Sequence, residues 1–186
     1  MTAKPPAGLF AVDGANGRSL ATAARQLVPA GRRVLKGVSC FDASGLFEQM
    51  LVDDGRTGPV SPRTLLLLYA ADLAFRLRWE IEPALAEGQS VVAAPYVETA
   101  MAFGRACGLP RTWLQQLFRF APRPSERFTV DASPGPAARP MAGFVEFGCA
   151  QLTQTDGPWS PRQLAAGTRA YLRGRGRSLR PRRSAG

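Results

Sequence analysis

The chain has 186 residues, 45% of them hydrophobic, enough for one domain with a sizeable core and too apolar for a disordered polymer. It contains no histidine, which excludes His-based triads, His general bases and His-containing zinc sites within the chain. The formal net charge is +10, yet residues 173–186 hold six arginines and no acid, and without them 18 basic residues face 14 acidic ones.

Residues 8–12 form a short apolar run ending in a Gly-containing turn, the pattern of a buried strand. Residues 19–28 read as a helix with Leu20, Ala23, Ala24 and Leu27 on one face, broken by Gly31. Arg33 to Val38 is a second strand, and Asp42 or Ser44 caps a short helix running to Met50. Asp53 to Pro59 is a loop. Ser61-Pro62 is a helix start, Ser at the N-cap and Pro at the first helical position. The helix runs from Thr64 to about Glu87, buried in its first half and bent near Pro83. Ser90 to Ala94 is a third strand, Tyr96 to Cys107 and Arg111 to Phe118 are helices, and Phe128 to Asp131 is a fourth strand. Gly143 to Phe147 reads as a fifth strand, and Ser160-Pro161 opens a last helix over Arg162 to Leu172. Alternating strands and helices predict an α/β fold with a parallel sheet of about five strands covered on both faces.

Cys40, Cys107 and Cys149 match no metal spacing, and nothing electropositive adjoins them except Arg105, so they read as buried, inert thiols of a cytoplasmic protein. No apolar stretch is long enough to span a membrane, and the first residues lack the apolar core of a signal peptide. Asp13 reads as a turn residue or as a nucleotide or metal contact. Trp79 lies on the exposed half of the long helix, as a partner surface or a cover for the sheet edge.

Three segments in register resemble the thymidylate kinase family. Phe10, Asp13, Gly14, Asn16 and Gly17 are similar to its Phe-Glu-Gly-x-Asp-Gly phosphate loop. Leu67 to Phe75, continued by Ile81-Glu82-Pro83-Ala84-Leu85, resembles its Leu-Phe-Ala-Ala-Asp-Arg-x-Gln helix and the Ile-x-Pro-Ala-Leu that follows. Val91 to Phe103 is similar to its Val-x-x-Asp-Arg-Tyr-x-x-Ser-x-x-Ala-Tyr segment. The likeness covers about residues 8–131 and implies a P-loop kinase-like fold over residues 1–172, followed by a disordered Arg-rich tail over 173–186.

The departures fall on the chemistry. A P-loop cradles phosphate with backbone N–H groups, reaches the transferring phosphate with a lysine and holds magnesium with Ser or Thr. If Gly14 is the first glycine, the final glycine is Ser19, the lysine Leu20 and the magnesium ligand Ala21. If Gly17 is the last glycine, Arg18 and Ser19 take the lysine and magnesium-ligand places and the loop is two residues short. Both registers stay open, the first fitting the helix pattern better. In the acceptor site the family's Asp-Arg pair matches Ala94 and Pro95, its helix arginine Leu73 and its glutamine Phe75, while Tyr69 is left to stack on a base or to join the core. Between the fourth and fifth strands, where the family has a lid with arginines and a helix, only Ser133 to Pro140 remains, with Arg139 its single cation.

The resemblance with these losses implies a degenerate kinase without catalytic residues, metal or cofactor, serving as a structural or regulatory subunit. Its partners are other proteins, with self-association as a homodimer by likeness to the family. Arg173, Arg175, Arg177, Arg180, Arg182 and Arg183 form a segment for an acidic protein or for nucleic acid. Two alternatives stand beside this reading. One is a residual dTMP kinase or ATP-binding protein using Arg18 and Ser19. The other is a nucleic-acid-binding module acting through the tail.

Overall fold

The computed structural model describes residues 7–27, 34–52, 60–132, 143–153 and 158–179. Gly31, the loop over 53–59, Arg139 with the rest of 133–142, and Arg180, Arg182 and Arg183 lie outside them. The elements in chain order are β1 (Leu9–Gly14), α1 (Gly17–Leu27), β2 (Val34–Cys40), α2 (Leu46–Val52) and α3 (Pro62–Arg76). A π-helical turn, Leu77–Ile81, leads into α4 (Glu82–Ala86), followed by β3 (Ser90–Ala94), α5 (Val97–Ala106) and α6 (Arg111–Leu117). The chain continues through β4 (Glu126–Val130), α7 (Phe144–Thr153), α8 (Pro161–Leu172) and β5 (Arg177–Leu179). All strands are parallel, in the order β2-β3-β1-β4-β5. The expected α/β class and five-stranded parallel sheet are therefore present.

Two layers cover the sheet. On one face Val12, Val92, Phe128 and Val130 pack against Leu20, Ala23 and Ala24 of α1. On the other, Leu9, Ala11, Val91 and Ala93 pack beneath α3, α5, α6, α7 and α8, where most of the core lies. The two Ser-Pro signatures start helices as read. The hydroxyl of Ser61 accepts from Thr64 N at 3.1 Å and that of Ser160 from Gln163 N at 3.2 Å. The α2 cap is Asp42, whose carboxylate accepts from Phe47 N and Glu48 N. The expected bend at Pro83 is a π-helical turn just before it: Pro83 has no N–H to donate back, and the Glu82 N–H reaches to Leu77 O.

Two expectations are corrected. Gly143 to Phe147 is not a strand; residues 144–153 form α7, and Phe144, Val145 and Phe147 are buried on it. The fifth strand is Arg177–Leu179, inside the segment read as a disordered tail, pairing Phe128 with Arg177 and Val130 with Leu179. The stretch between the fourth and fifth strands is thus not the eight residues 133–140. It carries the two helices α7 and α8.

Phe144 is the centre of the helical layer. Its ring lies 4.5 Å from that of Tyr69, 5.2 Å from Phe103 and 6.0 Å from both Phe41 and Phe47, centroid to centroid. Gly148, one helical turn on, lets α7 approach closely, since a Cβ there would stand 2.5 Å from Phe103 Cζ. Phe144→Ala is expected to lower the unfolding free energy by about 3–5 kcal/mol in a denaturant titration, because a central void cannot collapse in so closely packed a cluster.

Candidate functional site

In an open parallel sheet, ligands bind at the C-terminal ends of the strands, where helix N-termini present unpaired N–H groups. The loop from β1 to α1 is Ala15-Asn16 alone, and α1 begins at Gly17 with Arg18 and Ser19 in its first turn. The helix thus starts two residues before the expected Ser19. The α1 N-terminus is capped from within. Ser19 N donates to Asn16 Oδ1 at 2.7 Å, and Gly17 N donates to Glu146 Oε1 of α7 at 3.0 Å. Gly143 lies directly against this turn: a Cβ on it would stand 2.7 Å from Gly17 Cα and 2.8 Å from Glu146 Oε2. An internal carboxylate therefore takes the favourable position at the positive end of the helix dipole. Arg18 is exposed. This end of α1 is met by the chain's own carboxylate and by the Gly143 backbone.

Asp13, next to last in β1, performs the same service for α5. Its Oδ1 accepts from Tyr96 N at 2.9 Å, Thr99 N at 2.9 Å and Thr99 Oγ1 at 2.8 Å. Thr99 Oγ1 in turn accepts from Gly14 N at 3.1 Å. A side chain at Gly14 would meet Val130 O at 2.8 Å, so β1 and β4 come together here only with glycine. Burial pushes the Asp13 carboxyl up from its ordinary 3.8 to about 6, against the hydrogen bonds from Thr99 and Tyr96 that favour its charged form.

The acceptor-side residues divide. Tyr69 and Leu73 are fully buried, and Ala94 is buried at the end of β3. Tyr69 Oη donates to Tyr96 O at 2.8 Å, which ties it into the core. Phe75 is 39% exposed and lies on the outer side of α3, away from the other four. The decisive polar group is Arg76, which the sequence reading passed over. Its guanidinium is fully buried, 3.0 Å from Asp72 Oδ2, and donates to Pro95 O at 2.9 Å and to Tyr69 Oη at 3.4 Å. Asp72 also accepts from Ser44 N, Ser44 Oγ and Asp42 N. A charged pair inside the otherwise apolar stretch from Leu65 to Leu77 was the available signal, as was Glu146 inside the run Phe144 to Ala150.

The tail arginines within the described residues bind this chain's own acids. Arg175 reaches Glu98 at 3.5 Å, Arg177 reaches Glu126 at 3.3 Å, and Arg173 stands 4.0 Å from Asp131. Cys107 and Cys149 are buried as expected, with thiols pushed up to about 12 by desolvation, whereas Cys40, expected to be buried with them, is exposed at the end of β2. No group of acids, cysteines or histidines fit to hold a metal occurs among the described residues.

The chain is 31% identical over 131 residues to a probable thymidylate kinase of Pyrobaculum calidifontis, covering 70% of this chain and 67% of that one. The chain belongs to the thymidylate kinase family. It is also 33% identical over 135 residues to the thymidylate kinase of Xanthomonas oryzae pv. oryzae, covering 70% of this chain and 59% of that relative. With a probable thymidylate kinase of Pyrococcus horikoshii the identity is 35% over 86 residues, 40% of the relative's length. The chain thus spans less than two thirds of several thymidylate kinases it matches. The crystal structure of thymidylate kinase from Ehrlichia chaffeensis superposes with a TM-score of 0.59 at 14% identity, over 94% of this chain and 86% of that one, a likeness of fold. No family model matches the chain.

Because the fold raises the Asp13 pKa, the folded state binds that proton more tightly than the unfolded chain does. Its contribution to stability therefore grows as pH falls through about 6 and is complete below the unfolded value of 3.8. Between about pH 7.5 and about pH 5 the gain is about 1–1.5 kcal/mol. Asp13→Asn keeps an acceptor for Tyr96 and Thr99 and should remove this increment, read as the difference between the two proteins' denaturant midpoints at the two pH values.

Proposed function

We propose that this protein is a catalytically inactive member of the thymidylate kinase family, kept in the cytoplasm as a structural or regulatory binding subunit of a larger assembly. The observation that carries the reading is the α1 N-terminus. The loop before it has two residues, and the Glu146 carboxylate with the Gly143 backbone takes the place an anion would need. The filling of the acceptor side by Phe144, Arg76 and Asp72 points the same way. Phosphoryl transfer rests on positioning and charge stabilisation, and here Glu146, Asp72 and Arg76 are engaged within the fold itself.

A second reading, a residual dTMP kinase or ATP-binding protein, draws on the relatives' names and on exposed Arg18 in the first turn of α1. One experiment separates the two. Calorimetric titration of the folded protein with ATP-magnesium should give no binding heat. Micromolar ATP binding, with magnesium-dependent turnover lost in Arg18→Ala, overturns the inactive reading and establishes the second.

The binding role includes self-association. Leu67, Phe75 and Trp79 are 53%, 39% and 65% exposed along α3 and the π-helical turn after it, an apolar stripe on the outside of the helical layer. Light scattering should give twice the chain mass, and the double substitution Phe75→Glu/Trp79→Glu should return it to the monomer value. A monomer mass for the unsubstituted protein overturns the homodimer.

A further inference from the structure

With the α1 and acceptor positions occupied by the chain's own side chains, the open space lies elsewhere. A cavity of ≈ 400 Å³ sits between β1 and β4 on one side and α5, α6 and the end of α8 on the other. Its lining includes neither Gly17, Glu146 nor Arg76. This volume is within the ordinary range for a site that takes one small molecule.

The walls combine two kinds of surface. Tyr96, Met101 and Phe118 are buried and line the cavity, with Tyr96 held in place by donating its hydroxyl to Pro122 O at 2.8 Å. Tyr171 lines it from α8; the Arg175 guanidinium lies 3.8 Å from its ring centroid, and the Tyr171 hydroxyl is buried with no hydrogen-bond partner among the described residues.

The charged wall has an excess of cations. Arg111, Arg123, Arg127 and Arg175 all line the cavity. Facing them is Glu98, which both Arg127 and Arg175 approach, at 3.3 and 3.5 Å, so one carboxylate serves two guanidiniums. Arg111 and Arg123 are exposed and pair with no carboxylate among the described residues. Asp13 is the other acid in the lining, and its Oδ1 is committed to the α5 N-terminus. Even counted as fully ionised, it leaves two positive charges in excess.

We propose that this cavity is a binding site for a phosphomonoester with a flat, apolar body. The dianionic phosphate offsets the two-charge excess and offers the oxygens that guanidinium forks bind in pairs, and the ring lies against Tyr96, Met101 and Phe118. The site is independent of whether the α1 position is closed.

The test uses phenyl phosphate as the probe, titrated by calorimetry into the intact protein. One-to-one binding is expected, at least about tenfold tighter than inorganic phosphate, because the ring adds apolar burial. Arg111→Glu/Arg123→Glu, at two exposed positions, should weaken binding by about tenfold or more while the circular dichroism spectrum stays unchanged. Glu146→Gln should leave the affinity within about twofold. Absence of binding up to about 10 mM, a phenyl phosphate affinity no better than that of inorganic phosphate, or an affinity untouched by the double arginine substitution would each overturn the site. So would binding gained or lost with Glu146→Gln, which would move the ligand to α1.

Discussion

Every helix that starts at the C-terminal edge of a parallel sheet brings unpaired backbone N–H groups to one place, and something negative must meet them. In this protein the anions are its own. Asp13 serves α5, Glu146 serves α1 and Asp42 serves α2. Each carboxylate comes from outside the helix it caps, and for Asp13 and Glu146 it comes from far along the chain. These bonds fix the relation of β1 to α5 and of α7 to α1. The remaining packing, Phe144 between Tyr69 and Phe103 included, follows from α7 being held there.

The buried ion pair of Asp72 and Arg76 contributes differently. Removing two charges from water costs several kcal/mol per ion, and only full satisfaction by neighbours offsets it. Here Ser44, the Asp42 N–H, Pro95 O and Tyr69 Oη provide that. The net gain in stability from such a pair is small, so the aromatic cluster, not the ion pair, holds the helical layer together. What the pair does is specify geometry: it locks α3 against the segment after β3.

Much of the fold was legible in the sequence where the signal is local. β1, β3 and α5 follow from uninterrupted apolar runs and their periodicity, and α3 and α8 from Ser-Pro starts that the structure reproduces hydrogen bond for hydrogen bond. The failures share one cause, dependence on distant partners. Gly143 to Phe147 is an apolar stretch too short for periodicity to separate a strand from a buried helix, and it is helical because α1 and the aromatic cluster receive it. Arg177–Leu179 has no apolar alternation; it becomes a strand because β4 offers a free edge and Glu126 and Glu98 lie beside it to accept arginines. Glu146 went unread because its partner, Gly17, lies on another element, and Arg76 because its contact with Pro95 does, although Asp72 stands one turn away on the same helix.

Family membership and phosphate chemistry rest on different parts of this fold. Membership is carried by the sheet and the helices that pack on it, whereas phosphate chemistry is carried by a few N–H groups and charges at one edge. A phosphate arriving at α1 would have to displace Glu146 from Gly17 and part Gly143 from the same turn. Stripping a buried carboxylate of its partner costs about 2–4 kcal/mol, a loss of about 30- to 1000-fold in affinity relative to an open loop. The closure is therefore graded rather than absolute. Its strength is set by a single residue of α7, an element the family resemblance gave no reason to place near α1.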